Sequence, residues 1–349
     1  MAEWNDIRSL TMEELTEAVV SIGEKKFRAR QIYGWLHQKL VRSPREMKNL
    51  PKSCIQKLTE TYPCYGVTEV ERYVSKIDGT MKFLFMLHDG NIVESVLMRY
   101  KHGNSVCISS QAGCRMGCRF CASTLLGLTR NLYPSEMLDQ IYAIQHAIGE
   151  RISNVVVMGT GEPFDNYDSL SRMITLLCDE QGLNIGHRNI TVSTCGLVPR
   201  IYQFADEHPQ VTLAISLHAS NNETRRELMP IAHRYSLDEL MEAARYYVRQ
   251  TRRRITFEYS LVKGVNDSKV QAEELIGLVR GMNCHINLIP VNPIKERDYE
   301  QTDTSHVAAF KALLEEKHIQ VTVRREMGRD ISAACGQLRK GYTERNGNL

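Results

Sequence analysis

Long apolar segments are missing from this sequence of 349 residues. No apolar run approaches the roughly 18 residues that suggest a transmembrane helix, so we predict no membrane span. The first residues, Met-Ala-Glu-Trp-Asn-Asp, have neither the basic nor the apolar stretch of a secretory signal. Internal repeats and low-complexity tracts are also missing. We therefore expect a cytoplasmic globular protein that does not act at a membrane.

Cysteine, in contrast, is abundant, with ten residues in the chain. Without an export signal a disulfide framework is not expected, because the cytosol keeps thiols reduced. Three of the ten, Cys114, Cys118 and Cys121, fall within eight residues. Binding of a metal or of a metal cluster is therefore the leading interpretation of this composition.

A strong excess of one charge is absent from the whole chain, whose net charge is +3, but not from its N-terminal part. Between residues 25 and 52 a single acid, Glu46, stands against nine basic residues: Lys25, Lys26, Arg28, Arg30, Lys39, Arg42, Arg45, Lys48 and Lys52. Such a patch can contact phosphates, or it can be a solvated helical face. The arginines at 252–254 and 324–325 allow the same two interpretations.

Local patterns divide the chain into four segments. Residues 1–66 are predicted to form a small, mainly helical accessory domain, with a capping box at Thr11–Glu14 and a first helix that ends at Gly23. Residues 67–99 have strand character and a hairpin signal at Asp89-Gly90, which predicts a short β extension. Residues 100–338 are predicted to form the core, and residues 339–349 a flexible tail.

Strand and helix patterns alternate through the core segment. The predicted strands are residues 106–109, 155–158, 190–194, 211–216, 255–261, 285–289 and 319–323. Helices are predicted between them, among them residues 135–148, 237–248 and 270–279. This alternation indicates right-handed βαβ units and a parallel sheet. About six units predict an α/β fold with a partial (β/α)6 barrel, while a closed eight-unit barrel and a doubly wound sheet fit the same pattern.

Polar motifs follow the predicted strands of this core. The cysteine triplet follows the first strand, and the next three strands are followed by Gly159-Thr-Gly-Glu162, Ser193-Thr-Cys-Gly196 and Ser216-Leu-His218. Asn292 lies just past the sixth strand. Because ligands bind at the carboxyl ends of parallel strands, we expect these motifs to converge on one rim.

The cysteine array has the spacing C-x3-C-x2-C. Thiolates suit zinc or iron–sulfur clusters. A structural zinc ion needs four protein ligands, and no fourth is spaced nearby. Three cysteines suit a [4Fe–4S] cluster in which one iron is left open for S-adenosylmethionine. The alternative is a zinc site completed by Cys107 or by a distant histidine.

The array resembles the signature of the radical S-adenosylmethionine superfamily, and longer strings narrow the resemblance to the RlmN/Cfr family of RNA methyltransferases, closest to its RlmN branch. These strings include Cys107-Ile-Ser-Ser-Gln-Ala-Gly-Cys114, Met158-Gly-Thr-Gly-Glu-Pro-Phe-Asp-Asn-Tyr167, Asn287-Leu-Ile-Pro-Val-Asn-Pro293 and Asp330-Ile-Ser-Ala-Ala-Cys-Gly-Gln-Leu338. The resemblance covers nearly the whole chain. Thr160, where many relatives have methionine, and Ala122-Ser-Thr124, where Ala-Thr-Gly is common, depart from the family pattern without removing a ligand.

The resemblance implies methylation of carbon 2 of a specific adenine in 23S ribosomal RNA and in certain transfer RNAs. Cys335 would take a methyl group from one S-adenosylmethionine, and a second would be cleaved at the cluster to a 5′-deoxyadenosyl radical. This radical would remove hydrogen from the methyl group, whose carbon then adds to the adenine. Cys107 would resolve the adduct and end in a disulfide with Cys335, and Glu94 would accept a proton. An electron donor of the flavodoxin or ferredoxin type is also implied.

The resemblance further assigns seven residues to binding of S-adenosylmethionine: Gly161, Glu162, Ser193, Ser216, Leu217, His218 and Asn292. Ordinary structural interpretations exist beside these roles. A lone histidine is more often part of a core, a free cysteine is often a small buried hydrophobe, and Glu94 could be one polar position on a half-exposed strand.

Three other functions fit the same sequence. A Cfr-like enzyme would use the same cysteines to methylate carbon 8 of the adenine. A non-catalytic RNA-binding protein stabilised by zinc would be colourless and would not cleave S-adenosylmethionine. A radical enzyme that acts on a small molecule would form no methyl group on Cys335.

Overall fold

The computed structural model describes residues 6–292, 297–325 and 327–331, which contain twelve strands and ten α-helices. The strands are β1 Thr68–Val74, β2 Met81–Met86, β3 Ile92–Tyr100, β4 Gly103–Cys107, β5 Gln111–Gly113, β6 Leu128–Asn131, β7 Ile152–Val157, β8 Ile190–Thr194, β9 Thr212–Ser216, β10 Ile255–Leu261, β11 Cys284–Pro290 and β12 Gln320–Val323. The helices are α1 Met12–Ser21, α2 Phe27–His37, α3 Lys52–Thr61, α4 Pro134–Ile148, α5 Tyr167–Cys178, α6 Val198–Glu207, α7 Asn222–Leu228, α8 Leu237–Thr251, α9 Lys269–Val279 and α10 Thr304–Glu316. Cys335 and the predicted tail at 339–349 lie outside the described residues.

Ten strands form one sheet in the order β1-β2-β3-β4-β7-β8-β9-β10-β11-β12. From β4 to β12 neighbouring strands are parallel and follow in chain order. Six strand–helix units therefore precede β12, and right-handed crossovers place their helices on one side of the sheet. Because β1 and β12 are edges, the sheet is open. This confirms the partial six-unit α/β barrel and excludes the closed barrel and the doubly wound sheet, whose strand order reverses.

The predicted β extension continues the same sheet. Strands β1, β2 and β3 pair antiparallel in sequence, and β3 pairs antiparallel with β4, so that Val96 lies opposite Cys107. Side chains alternate between the two faces of a strand. Phe83 and Phe85 of β2 are therefore buried in the main core, whereas Lys82 points to the other face. These strands extend one wall of the open barrel.

The N-terminal helices share the hydrophobic core of the barrel. The predicted capping box of Thr11 and Glu14 is present at the start of α1. Arg8, which is 2% exposed, donates from Nη1 to Oδ2 of Asp139 on α4 at 2.7 Å. Its Nη2 donates to the carbonyl oxygen atoms of Val41 and Arg42, both at 2.9 Å. One buried side chain thus joins the N-terminal helices to the barrel.

Most predicted strand limits agree with the structure, and β8 and β10 agree at both ends. The first two core strands differ. The first was expected at residues 106–109 and runs from Gly103 to Cys107, and the second was expected at residues 155–158 and runs from Ile152 to Val157. The amide of Ser109 donates to the side chain of Gln140 at 2.9 Å rather than to a neighbouring strand. The amide of Ile108 still donates to the carbonyl of Val156 on β7 at 3.0 Å, so the chain leaves the sheet at Ser109. In the described ranges no helix is long and apolar enough to cross a membrane.

Candidate active site

A cavity of about 480 Å³ opens at the carboxyl ends of the parallel strands. Ten of the thirteen candidate site residues line it: Cys107, Cys114, Cys118, Cys121, Gly161, Glu162, Ser193, Ser216, His218 and Asn292. Of the other three, Leu217 and Glu94 do not line the cavity, and Cys335 lies outside the described residues. The strand-end motifs therefore converge on one rim, as the sequence predicts.

The three closely spaced cysteines lie on the loop between β5 and β6. The loop is closed by a hydrogen bond from the amide of Cys114 to the carbonyl of Gly127 at 2.9 Å. Within it, the amide of Cys121 donates to the carbonyl of Cys118 at 3.1 Å. Gly117, with φ +71°, provides a left-handed turn that favours glycine. This path brings all three thiols to the cavity wall.

The surroundings of this loop are apolar. Cys118 packs with Cys195, Leu228 and Met229 in a small buried cluster. Burial raises the pKa of the Cys118 thiol well above its usual range, and the neighbouring thiolate of Cys121 adds to the effect. Burial likewise raises the pKa of Cys114 to about 12. Three thiolates are therefore unfavourable here by themselves, and a bound metal centre, which deprotonates its thiol ligands, would offset the cost.

The three thiols line one cavity. Among the described residues, no group of three or more histidine, cysteine, aspartate or glutamate side chains is arranged to hold a single metal ion. Three thiols on one wall suit a multi-iron cluster, whose ligands bind different iron atoms.

The loop from Gly159 to Glu162 packs tightly against the chain that follows β4. A Cβ atom on Gly161, which has φ +111°, would lie 2.6 Å from Cβ of Gln111. A Cβ on Gly159 would lie 2.6 Å from the carbonyl oxygen of Ile108. Contact between two protein loops thus requires both glycines.

Glu162 is held in one orientation by the backbone. Its Oε1 accepts from the amide of Phe164 at 3.0 Å, and its Oε2 accepts from the amide of Cys195 at 2.7 Å. Burial raises the pKa of this carboxyl, and these two amides oppose the rise. The side chains of Thr194 and Cys195 also hydrogen-bond to this carboxylate, which lines the cavity as an acceptor for a cationic group.

His218 is both a satisfied interior histidine and part of the cavity wall. Its Nδ1 accepts from the amide of Ser260 at 2.9 Å, so the proton of the neutral ring is on Nε2. Burial, together with the charge of Arg225, lowers its pKa to about 3. Phe120 of the cysteine loop meets the ring edge-on at 4.7 Å between centroids. His218 therefore presents a neutral N–H donor.

The remaining candidate residues for cofactor binding differ in how accessible their side chains are. The hydroxyl groups of Ser193 and Ser216 lie 3.5 Å apart at the ends of β8 and β9. Asn292 follows β11 and is exposed. The side chain of Leu217 is fully buried in the main core. Only its backbone is available near this rim.

Cys107 and Glu94 occupy different environments. Cys107 ends β4, is 8% exposed and lines the cavity. Glu94 on β3 is 3% exposed, which corrects the half-exposed position considered from the sequence. Its Oε2 lies 2.9 Å from Nζ of Lys82 on β2. The structure therefore places Glu94 in a buried ion pair that the sequence argument had not foreseen.

Two further charged residues at this end of the barrel were missed. Glu258 on β10 lines the cavity, and its Oε2 accepts from Nδ2 of Asn287 at 2.8 Å. The alternation of polar Thr256, Glu258 and Ser260 with apolar residues could have located it, because one face of that strand must face the interior. Arg225 lies behind the cysteine loop, and nothing in the sequence pattern marks it.

Comparison with known proteins finds similarity over nearly the whole chain. Residues 108–276 match the Radical SAM superfamily, and residues 5–63 match the ribosomal RNA large subunit methyltransferase N-terminal domain. The chain is 63% identical over 341 residues to a probable dual-specificity RNA methyltransferase RlmN of Lachnospira eligens, with 97% of each chain covered. It is 59% identical to the same enzyme of Lachnoclostridium phytofermentans, with 97% and 96% covered. A crystal structure of a radical SAM methyltransferase from Sphaerobacter thermophilus superposes with a TM-score of 0.91, at 45% identity and over 95% of this chain and 98% of that one.

Proposed function

This chain belongs to the RlmN family of radical S-adenosylmethionine methyltransferases, and from that premise we propose that it methylates carbon 2 of a specific adenine in 23S ribosomal RNA and in certain transfer RNAs. Its relatives are named as dual-specificity RNA methyltransferases. The observation that carries the proposal is the single cavity that combines three closely spaced cysteines with Cys107 and the strand-end polar residues. The enzyme would act in the cytoplasm.

Cys114, Cys118 and Cys121 would hold a [4Fe–4S] cluster, the cofactor that radical S-adenosylmethionine enzymes use. When bound, the cluster supplies the electron that cleaves S-adenosylmethionine, and an electron donor of the flavodoxin or ferredoxin type would replace that electron. The apolar packing around Cys118 keeps water away from this loop.

The residues that follow the other strands would bind S-adenosylmethionine. Glu162, whose carboxylate the amides of Phe164 and Cys195 hold at the cavity wall, would accept from its ammonium group. The hydroxyl groups of Ser193 and Ser216 and the N–H of His218 offer polar contacts at the same rim. Gly161, the backbone of Leu217 and Asn292 complete the proposed set.

Cys335 would carry the methyl group that is transferred, so two molecules of S-adenosylmethionine are consumed in each turnover. Cys107, at the cavity wall, would release the product by forming a disulfide with Cys335. Glu94 would accept a proton, with its carboxylate oriented by Lys82 at 2.9 Å. A general base must come within hydrogen-bond reach of the proton that it takes, so this role requires the reacting adenine to approach β3.

The basic patch of the N-terminal domain would contact RNA phosphates. Eight of its nine basic residues are exposed, and the ninth, Arg28, is partly buried. Arg28 lies 4.9 Å from the ring centre of Phe27, which is 55% exposed. Phosphate contacts give affinity without sequence identity, and an exposed aromatic ring can stack on an unpaired base.

Mapping of modified adenosines after deletion and restoration of this protein tests the proposal. Mass spectrometry of ribosomal and transfer RNA should detect 2-methyladenosine that disappears on deletion and returns on restoration. Appearance of 8-methyladenosine instead would identify the Cfr-like activity. Zinc in place of iron and sulfide after anaerobic purification would contradict the radical mechanism.

Two cysteine variants test the chemistry of transfer. Cys335→Ala should retain iron and sulfide but form no methylated protein, as read from intact mass, and should not methylate RNA. Cys107→Ala should accumulate a covalent protein–RNA adduct that denaturing gels detect. Cys178→Ala, altered at a half-buried thiol of α5, is the matched control and should retain activity. Methylation by Cys335→Ala would contradict the proposed intermediate.

A further inference from the structure

Arg225 is a buried cation that has no carboxylate partner among the described residues. It lies on α7 and is 0% exposed. Nη2 donates to the carbonyl oxygen of Cys195 at 2.7 Å, and Nε donates to that of Leu217 at 3.2 Å. Nη1 is buried and has no hydrogen-bond partner. The side chain is therefore surrounded by neutral dipoles, and part of its hydrogen-bonding capacity is unused.

Neutral carbonyl groups do not compensate a buried positive charge. A charge taken out of water is costly unless an opposite charge lies nearby. Among the described residues, the hydrogen bonds of Arg225 all go to carbonyl oxygen atoms and none goes to a carboxylate. Cys195, whose carbonyl it contacts at 2.7 Å, packs with Cys118 in one small buried cluster. The guanidinium remains protonated at neutral pH, because burial lowers its pKa only to about 10. The negative charge that balances Arg225 would thus lie near the loop that carries the three closely spaced cysteines.

Arg225 lies behind the wall of the cavity, where it cannot touch a ligand. It is not among the lining residues, and the carbonyl groups that it contacts belong to the chain just beyond β8 and β9. Its field nevertheless reaches the wall. The positive charge helps to lower the pKa of His218, which lines the cavity. The interaction is therefore electrostatic and acts through the protein.

A cluster bound by the three cysteines has a negative net charge, which is the sign required to balance Arg225. The oxidised core carries two positive charges and three thiolates carry three negative ones, which leaves one net negative charge. Uptake of one electron raises this to two net negative charges. A fixed cation nearby therefore stabilises the reduced form more than the oxidised form.

We propose that Arg225 is the permanent counter-charge of the iron–sulfur cluster and raises its reduction potential, so that the cluster accepts an electron more readily. This inference rests on the proposed function, because it assumes that Cys114, Cys118 and Cys121 hold the cluster. Arg225 touches neither substrate nor cofactor and acts through its charge. A purely structural role, in which Arg225 joins the ends of β8 and β9, would depend on its N–H donors instead.

Two substitutions separate charge from hydrogen bonding. Arg225→Gln keeps amide donors but removes the charge, and Arg225→Lys keeps the charge with different donors. Arg226→Gln removes a neighbouring charge that is exposed on the same helix and is the matched control. The readout is a potentiometric titration of the full-length holoenzyme, in which electron paramagnetic resonance measures the reduced cluster.

At the potential that half-reduces the wild-type cluster, Arg225→Gln should show a ratio of reduced to oxidised cluster at least tenfold lower. For a one-electron couple this corresponds to about 59 mV. Arg225→Lys should stay within threefold of the wild type, and Arg226→Gln should match it. An unchanged ratio in Arg225→Gln overturns the inference.

If Arg225→Gln does not fold or holds no cluster, the Arg225→Lys variant tests the inference instead. A ratio within threefold of the wild type supports the role of the charge, whereas a tenfold fall or loss of the cluster in this variant overturns it. Failure of the proposed function has a different signature, since the wild-type protein would then contain no iron or sulfide.

Discussion

Replacement of Lys82 by methionine should destabilise the protein by about 3–5 kcal/mol, because it removes one partner of a buried ion pair. Nζ of Lys82 lies 2.9 Å from Oε2 of Glu94, and the two side chains are 0% and 4% exposed. At this depth water cannot replace the missing ammonium group. The Glu94 carboxylate would be left as a buried charge without its cation.

The expected loss can be read as a change in Tm. At about 2.1 cal/mol/K per residue, a chain of 349 residues has an entropy of unfolding of about 0.7 kcal/mol/K. A loss of about 4 kcal/mol therefore lowers Tm by about 5–6 °C. Differential scanning calorimetry of the apoprotein at pH 7 measures this shift. Lys269→Met, which breaks the exposed pair with Glu273, should change Tm by less than about 1 °C.

A double variant distinguishes the structural role of the pair from a catalytic role of Glu94. Lys82→Met/Glu94→Leu replaces two charges by apolar groups and should recover most of the lost stability. If Glu94 accepts a proton, the double variant should regain its Tm but not RNA methylation. Recovery of both would make Glu94 structural. A Tm loss in Lys82→Met no larger than in Lys269→Met would refute the reasoning.

Three further predictions follow from single side chains. Cys118→Ser should lose the cluster, measured as iron and sulfide, while Cys178→Ser should retain it. Gly161→Ala should weaken binding of S-adenosylmethionine more than tenfold in equilibrium dialysis, because its Cβ has no room at 2.6 Å, while Gly264→Ala, where nothing lies within 4 Å, should stay within twofold. Burial lowers the pKa of His37 to about 3, so the unfolded chain binds its proton first and stability falls as pH drops from about 6.5 toward 3. His37→Phe should therefore reduce the fall in Tm between pH 7 and pH 5, and an equal fall in both proteins would contradict this.

The order of the core strands was predictable because each strand has a recognisable pattern in its own residues. The pattern at 190–194 and at 255–261 gave both strands with their correct limits. Parallel strands in chain order then fix which loops share a rim, so Glu162, Ser193 and His218 could be placed together before any contact was known. The predicted C-terminal limit of β4 was less accurate, because the amide of Ser109 donates to the side chain of Gln140, thirty-one residues later in the chain.

The sequence by itself determined the alternating core, the cysteine spacing and the strand ends on which polar motifs lie, because these depend on neighbours within a few residues. Only the tertiary structure decided that Lys82 faces Glu94, that Arg225 is buried against carbonyl groups, and that Gly161 has no room for a side chain. Those facts depend on which distant segments meet. Burial then determines how much free energy an unpaired charge or an added atom costs. No local sequence pattern shows which residues will be affected.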